Sequence, residues 1–382
     1  MIQSSSSSAE ETPNPTNVGG QAVIEGVMMR APGSLAVVVR RRNGSLVVRE
    51  RTVVAPTSKT ARLPFIRGVH TLVSSLKLGH QALRFSADIM EEDFEDEEDP
   101  PKKPPTSKVG TQITLAFMAL TQWLESAPRD DEGSTDDEES PSLGRAILGA
   151  LPFLVAIGVF IALPQLAAEG INSLFKLNLP VTSAPFQAIT GLAKLTILVS
   201  YFGLLRANSM IRRVFQYHGA EHKAISTYEN RRELLVENAR ETTALHARCG
   251  TTFIIMVAFV SVVLFSAMGA LMPPIQGPRV VQSLVFFILK LPLLPVVAAI
   301  TFEIQRLFAR YCLTGPLRFL LWPGFLVQKI TTAPPDDAQL EVALASLRSA
   351  LTRASVPVPA THPDRTYESY ARLVDDPAYR VA

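Results

Sequence analysis

In the stretch FQYHGAEHKAISTYE, His218 and His222 stand four residues apart, with Glu221 beside the second. On a helix, positions i and i+4 share a face and i+3 lies close to both, so these three side chains point one way. Two neutral imidazoles presented together are half of a zinc site. An adjacent carboxylate can take a proton from water on the cation. The same residues also fit a plain helix leaving a membrane, its histidines hydrogen-bonded to Glu229 or to backbone.

The order His-x-x-Glu-His is the inverzincin order of metallopeptidases. A catalytic site needs a third protein ligand and keeps a fourth position for water. Downstream, LHARCGTTF offers His246 and Cys249, three apart; Glu229, Glu237 and Glu303 are the carboxylate alternatives. Cys249 equally suits a small buried position, and His246 a contact with lipid phosphate. Glu303 lies in an apolar run, where a carboxylate costs several kcal/mol unless it is paired, protonated or bound to a cation. Arg306, one turn on, is its plain salt-bridge partner, and metal ligation is the alternative. In GGQAVIEGVMMRAPG, Gly19, Gly20 and Gly26 would allow close backbone approach, and Glu25, inside an apparently buried strand, would want a cation or a basic partner. The chain holds no glycine-rich phosphate loop, nucleophile elbow or Cys-x-x-Cys pair.

These residues must be positioned by elements in a membrane. Within the 382 residues, Ala146 to Ala168 and Thr251 to Pro278 carry no charge. Each run is long enough to cross a hydrocarbon core of about 30 Å. Two further spans, about Gly191 to Arg212 and Leu284 to Arg306, contain Lys194, Lys290 and Glu303. Arg206, Arg212, Arg213, Lys223, Arg231, Arg232, Arg240 and Arg248 lie between the second and third spans. The other two connections offer mainly Lys176 and Arg279, so the positive-inside rule makes the middle loop and both termini cytoplasmic. Lys194 and Lys290 then fall near outer helix ends, where snorkelling would accommodate them. The formal charge of +2 argues against bulk attraction to nucleic acid. With only two cysteines, Cys249 and Cys312, there is no disulfide framework.

The remaining segments flank and connect these spans. Residues 1–18 form a disordered tail with no signal-peptide pattern. Residues 19–87 hold a β-hairpin, its turn at Asn43-Gly44, and an amphipathic helix bearing Ile66, Val69, Leu72, Val73, Leu76 and Leu83. His70 and His80 lie on that helix surface. Residues 88–142 are an acidic, disordered linker interrupted by a short apolar helix with Trp123, either interfacial or part of a fifth span. Residues 143–332 are the membrane domain, with a loop over 207–250. Residues 333–353 form an amphipathic helix opened by Asp336 and Asp337, and 354–382 a tail with little order.

Taken in order, GGQAVIEGVMMR, PFIRGV, FQYHGAEHKAISTYE, LHARCGTTF and PGFLVQKITTAPPDDAQLEVAL resemble the YqhQ-like family of bacterial multi-pass membrane proteins, the domain of unknown function 1385. Its members are described as predicted metal-dependent enzymes, with no reaction or substrate attached to the description. The resemblance implies a membrane location and a metal site at the HGAEH and HARCG positions: His218, Glu221, His222, His246 and Cys249. The acidic tracts and the tail are longer than the family's pattern.

The expected fold is therefore mainly α: a polytopic membrane protein with about four transmembrane helices and a small N-terminal β-hairpin element. The expected function is metal-assisted hydrolysis at the cytoplasmic face of the inner membrane. His218 and His222 would bind a divalent metal, zinc first. Glu221 would act as base, and His246, Cys249 or Glu303 would complete the shell. A non-catalytic membrane scaffold is the alternative, and a transporter with Lys194, Lys290 and Glu303 lining a cavity is the third class. The lipid bilayer is the expected partner; substrate and oligomeric state stay open.

Overall fold

A computed structural model describes residues 18–53, 63–95, 154–273, 275–312, 316–359 and 362–379. The N-terminal tail, the second acidic tract and the apolar run around Trp123 lie outside the described residues. The strands are β1 Gly19–Val23, β2 Gly26–Ala31, β3 Ser34–Arg40, β4 Leu46–Thr52 and β5 Arg365–Tyr367. The helices begin with α1 Ile66–Glu95, α2 Leu154–Leu174, α3 Ala184–Ala207, α4 Ser209–Glu229 and α5 Val236–Glu241. They continue with α6 Gly250–Leu271, α7 Arg279–Tyr311, α8 Trp322–Thr331, α9 Asp337–Ser355 and α10 Tyr370–Asp375. The chain is mainly α with an N-terminal antiparallel sheet, and it divides into two compact units. One comprises residues 1–55, 216–244 and 334–382, the other 56–215 and 245–333.

In the first unit the strands run as an antiparallel meander in chain order. The hairpin expected at Asn43-Gly44 joins β3 to β4. Gly44 takes φ +89° there, and the Asn43 side chain accepts from the Ser45 amide at 2.9 Å. The single strand expected over AVIEGVMM is instead a second hairpin. It turns at Ile24 and Glu25, with Glu25 in the left-handed region at φ 50°, and Val23 pairs with Gly26.

A small sheet needs a partner to bury its apolar face, and α9 supplies it by packing across β2 and β3. Its alanines and serines let backbones approach: Ser346 donates to the Ala36 carbonyl at 3.0 Å and Ser34 to the Ala350 carbonyl at 2.6 Å. Asp336 caps α9 in a reciprocal capping box with Gln339, as its start signal predicts. The helix is buried almost all round, however, because α5 and α10 cover the sides that the sheet does not. The tail also departs from expectation. β5 adds to the free edge of β4, pairing Tyr367 with Leu46 and Arg365 with Val48, and edge pairing orders a sequence whose composition predicts no core.

In the second unit, four helices among the described residues, α2, α3, α6 and α7, are long and apolar enough to cross a membrane. Their ends follow local chemistry. α3 starts ahead of Gly191 because the Ser183 hydroxyl caps it, accepting from the Phe186 amide, and Pro185 suits the first turn. α2 runs past Glu169, which pairs with Arg279, and α6 stops just before Pro273. The amphipathic helix α1 continues to Glu95, into the first acidic tract. Met and Glu are good helix formers, and Phe85 and Ile89 are buried along it. Its Ile66, Val69, Val73 and Leu76 remain exposed.

In the first unit Glu50 on β4 and Arg353 on α9 form a buried ion pair at 2.9 Å, with side chains 1% and 7% exposed. Replacing only one member strands the other charge. Arg353→Met is expected to lower stability by roughly 3–5 kcal/mol, and Glu50→Leu added to it to recover much of the loss. Denaturant unfolding of the purified single and double variants measures both.

Candidate metal centre

α4 begins at Asn208, whose side-chain oxygen accepts from the Met210 amide at 2.9 Å. Its apolar positions Tyr217, Ala220, Ala224 and Ile225 are buried in the core of the first unit. One turn of that half of the helix carries the histidines. The His218 and His222 rings meet edge to face with centroids 4.4 Å apart, so the i, i+4 spacing places them on a common face. His222 is 1% exposed, and its Nδ1 bonds the Ala244 carbonyl. A carbonyl oxygen only accepts, so Nδ1 carries the proton, and in the neutral ring Nε2 is the acceptor. Metal-binding histidines use this tautomer, oriented by a hydrogen bond on the other nitrogen.

The segment leading to Ala244 is itself held by α4. Lys223 donates to the carbonyls of Arg240 at 2.7 Å and Thr242 at 2.6 Å, closing the C-terminal end of α5 where a cation is favoured. Burial lowers the Lys223 pKa from its ordinary value. Ser226 donates to the Thr243 carbonyl at 3.0 Å, and Thr242 returns a bond to the Lys223 carbonyl at 2.9 Å. Residues 242–244 are thus clamped against the helix that bears the rings.

Glu221 is 5% exposed on the same turn. Gly20 on β1 makes room for it: a Cβ there would lie 2.9 Å from the Glu221 Cγ and 2.8 Å from the Met28 carbonyl oxygen. The close approach expected of the N-terminal glycines is therefore directed at the helix carrying the histidines. Glu25 accepts from the Tyr217 hydroxyl at 3.1 Å. Of the loop carboxylates, Glu229 ends α4 half-buried, and Glu237 is exposed in the first turn of α5.

The other expected donors belong to the second unit. Cys249 is 7% exposed and caps α6; its sulfur accepts from the Thr251 amide at 3.4 Å and its carbonyl from Gln305 at 3.1 Å. It sits at a helix N-terminus, where negative charge is favoured. His246 is anchored by its backbone to the buried Gln328, giving and receiving bonds at 2.9 and 2.7 Å. Its ring Nε2 lies 3.5 Å from the Arg248 guanidinium, which can only donate. Both Glu303 oxygens meet Arg67 of α1, through Nε at 2.7 Å and a terminal nitrogen at 2.5 Å. Arg67, not Arg306, is the ion-pair partner that the apolar helix requires. Nothing in the spacing pointed to Arg67 or Gln328, which lie far from their partners in sequence.

Residues 63–353 match the family model described as Protein of unknown function (DUF1385). The chain is 30% identical over 346 residues to the protein named "Uncharacterized protein YqhQ" of Bacillus subtilis (strain 168), covering 88% of this chain and 93% of that one. No solved structure matches.

Lys223→Met removes a cation that serves several carbonyls at once. It is expected to lower stability by roughly 1–3 kcal/mol and to speed amide hydrogen exchange around residues 242–244 more than elsewhere in the first unit. Mass-spectrometric exchange of the variant beside the wild type checks this.

Proposed function

The chain belongs to the DUF1385 family, and from that membership and the geometry of α4 we propose that it is a membrane-bound, metal-dependent enzyme. The observation that carries the reading is the orientation of His222. Its Nδ1–H is committed to the Ala244 carbonyl, and its ring lies against His218 on the same face. We assign His218 and His222, which share one face of α4, as the metal's imidazole ligands.

Two imidazoles are half of a tetrahedral zinc site, which a further protein ligand and a water would complete. The metal, when bound, supplies a Lewis acid for hydrolysis. The chain's own groups then have separate tasks. His222 is held in its ligating tautomer by Ala244, and Glu221, buried one residue away on α4, takes the proton of the attacking water.

Metal analysis of the purified full-length protein is expected to find about one zinc per chain, reduced to background in His218→Ala and in His222→Ala. Metal-free wild type, or content unchanged in both variants, sinks the reading. A scaffold role is the second reading, favoured by the burial of His222 and by its backbone hydrogen bond. Metal-free protein in which His218→Ala leaves thermal unfolding unchanged would support it.

The four long apolar helices suggest membrane association. We further propose the bacterial inner membrane, with both termini and the histidine-bearing segment in the cytoplasm, because the basic residues concentrate between α3 and α6. Single cysteines introduced at Asn230 and Lys176 are expected to be modified by a membrane-impermeant thiol reagent only in opened cells and in intact spheroplasts, respectively. The reverse pattern inverts the topology.

A further inference from the structure

Two lysines inside the helix bundle have no role in the proposed chemistry, and the ammonium of each bonds a side chain of a neighbouring helix. Lys290 is 2% exposed, and its ammonium donates to the Gln165 side-chain oxygen at 2.8 Å. That amide is oriented by its own nitrogen, which donates to the Ser283 carbonyl at 2.7 Å. Lys194 donates to the Ser261 hydroxyl at 3.1 Å, whose own proton goes to the Ala258 carbonyl at 2.8 Å. Both ammonium groups approach the Phe265 ring, at 5.9 Å for Lys194 and 5.3 Å for Lys290, and Lys290 also lies 4.8 Å from the Phe286 centroid.

Both side chains line one cavity of about 10 Å³, together with Gln187, Thr190, Ser261 and Phe265. Gly191 lets α3 and α6 close over it, since a Cβ there would lie 2.2 Å from the Val262 side chain. Glu303 is not among the residues that line this cavity.

An ammonium taken into an apolar bundle loses several kcal/mol of hydration. A hydroxyl, an amide and aromatic faces return part of that, and two like charges sharing one cavity repel. Each ammonium has three N–H donors, and among the described residues each finds one oxygen acceptor, a neutral one. Glu169, a carboxylate on α2, is spent on Arg279. The missing element is a negative charge. A cavity this size holds about one water-sized particle, which excludes a lipid headgroup or an organic acid.

We propose that α2, α3, α6 and α7 enclose a binding site for one small inorganic anion of chloride's size, held between Lys194 and Lys290.

The test uses the full-length protein in detergent, with chloride replaced by gluconate at constant ionic strength. Equilibrium dialysis with labelled chloride is expected to show about one saturable site per chain. The thermal unfolding midpoint is expected to rise with chloride and then level off. Lys290→Gln and Lys194→Gln should each weaken chloride binding roughly ten- to hundredfold, as expected for losing one hydrogen bond to a charged group. His222→Ala should leave it unchanged, which separates this site from the metal reading. If Lys290→Gln does not fold, Lys194→Gln carries the comparison. Wild-type protein that retains no chloride and melts alike in both salts overturns the proposal. So does binding that persists undiminished in either folded lysine variant, because the cavity then holds only water or the chloride sits elsewhere.

Discussion

The hydrogen bond from His222 Nδ1 to the Ala244 carbonyl is the constraint around which the histidine turn is arranged. It sets the rotation of one ring and the position of its proton together, and the second ring then packs against the first. A backbone carbonyl can orient a ring only if its own segment is immobile. Lys223, Ser226 and Thr242 achieve that with bonds between α4 and the 239–243 segment. α4 therefore bears the rings and also builds the frame that orients them. Its other face contributes Tyr217, Ala220, Ala224 and Ile225 to the core of the first unit, whose sheet and α9 hold the helix in place. Gly20, by admitting the Glu221 side chain, makes the N-terminal strand part of the same assembly.

Burial of charge is handled in two ways. Glu50 meets Arg353 in the first unit, and Glu303 meets Arg67 in the second, each carboxylate gaining an opposite charge. Lys290 and Lys194 gain an amide, a hydroxyl and aromatic faces instead. In a medium of low dielectric an ion pair cancels the field of its members, whereas dipoles and rings only reduce it. The two lysines are thus the part of the bundle whose electrostatics ask for something the described residues do not provide.

The amino-acid sequence by itself determined the features that short-range rules govern. Runs of apolar residues marked the four long helices, Asn43-Gly44 marked the β3–β4 turn, and Asp336 marked the start of α9. The four-residue spacing brought His218 and His222 to one face. Each of these depends on residues within a turn or two of each other, where helical and strand periods govern direction.

Only the tertiary structure decided the partners. Arg67 and Glu303 are separated by 236 positions, and Ser34 and Ala350 by 316. The Ala244 carbonyl that orients His222, the β4 edge that orders the C-terminal segment, and the inward course of Lys290 share the same origin. Periodicity states which face of an element is apolar, but which groups come to lie opposite that face is set by packing of distant segments. A charge or a strand edge will accept any suitable partner that packing brings within reach, so local spacing carries no record of the one it meets.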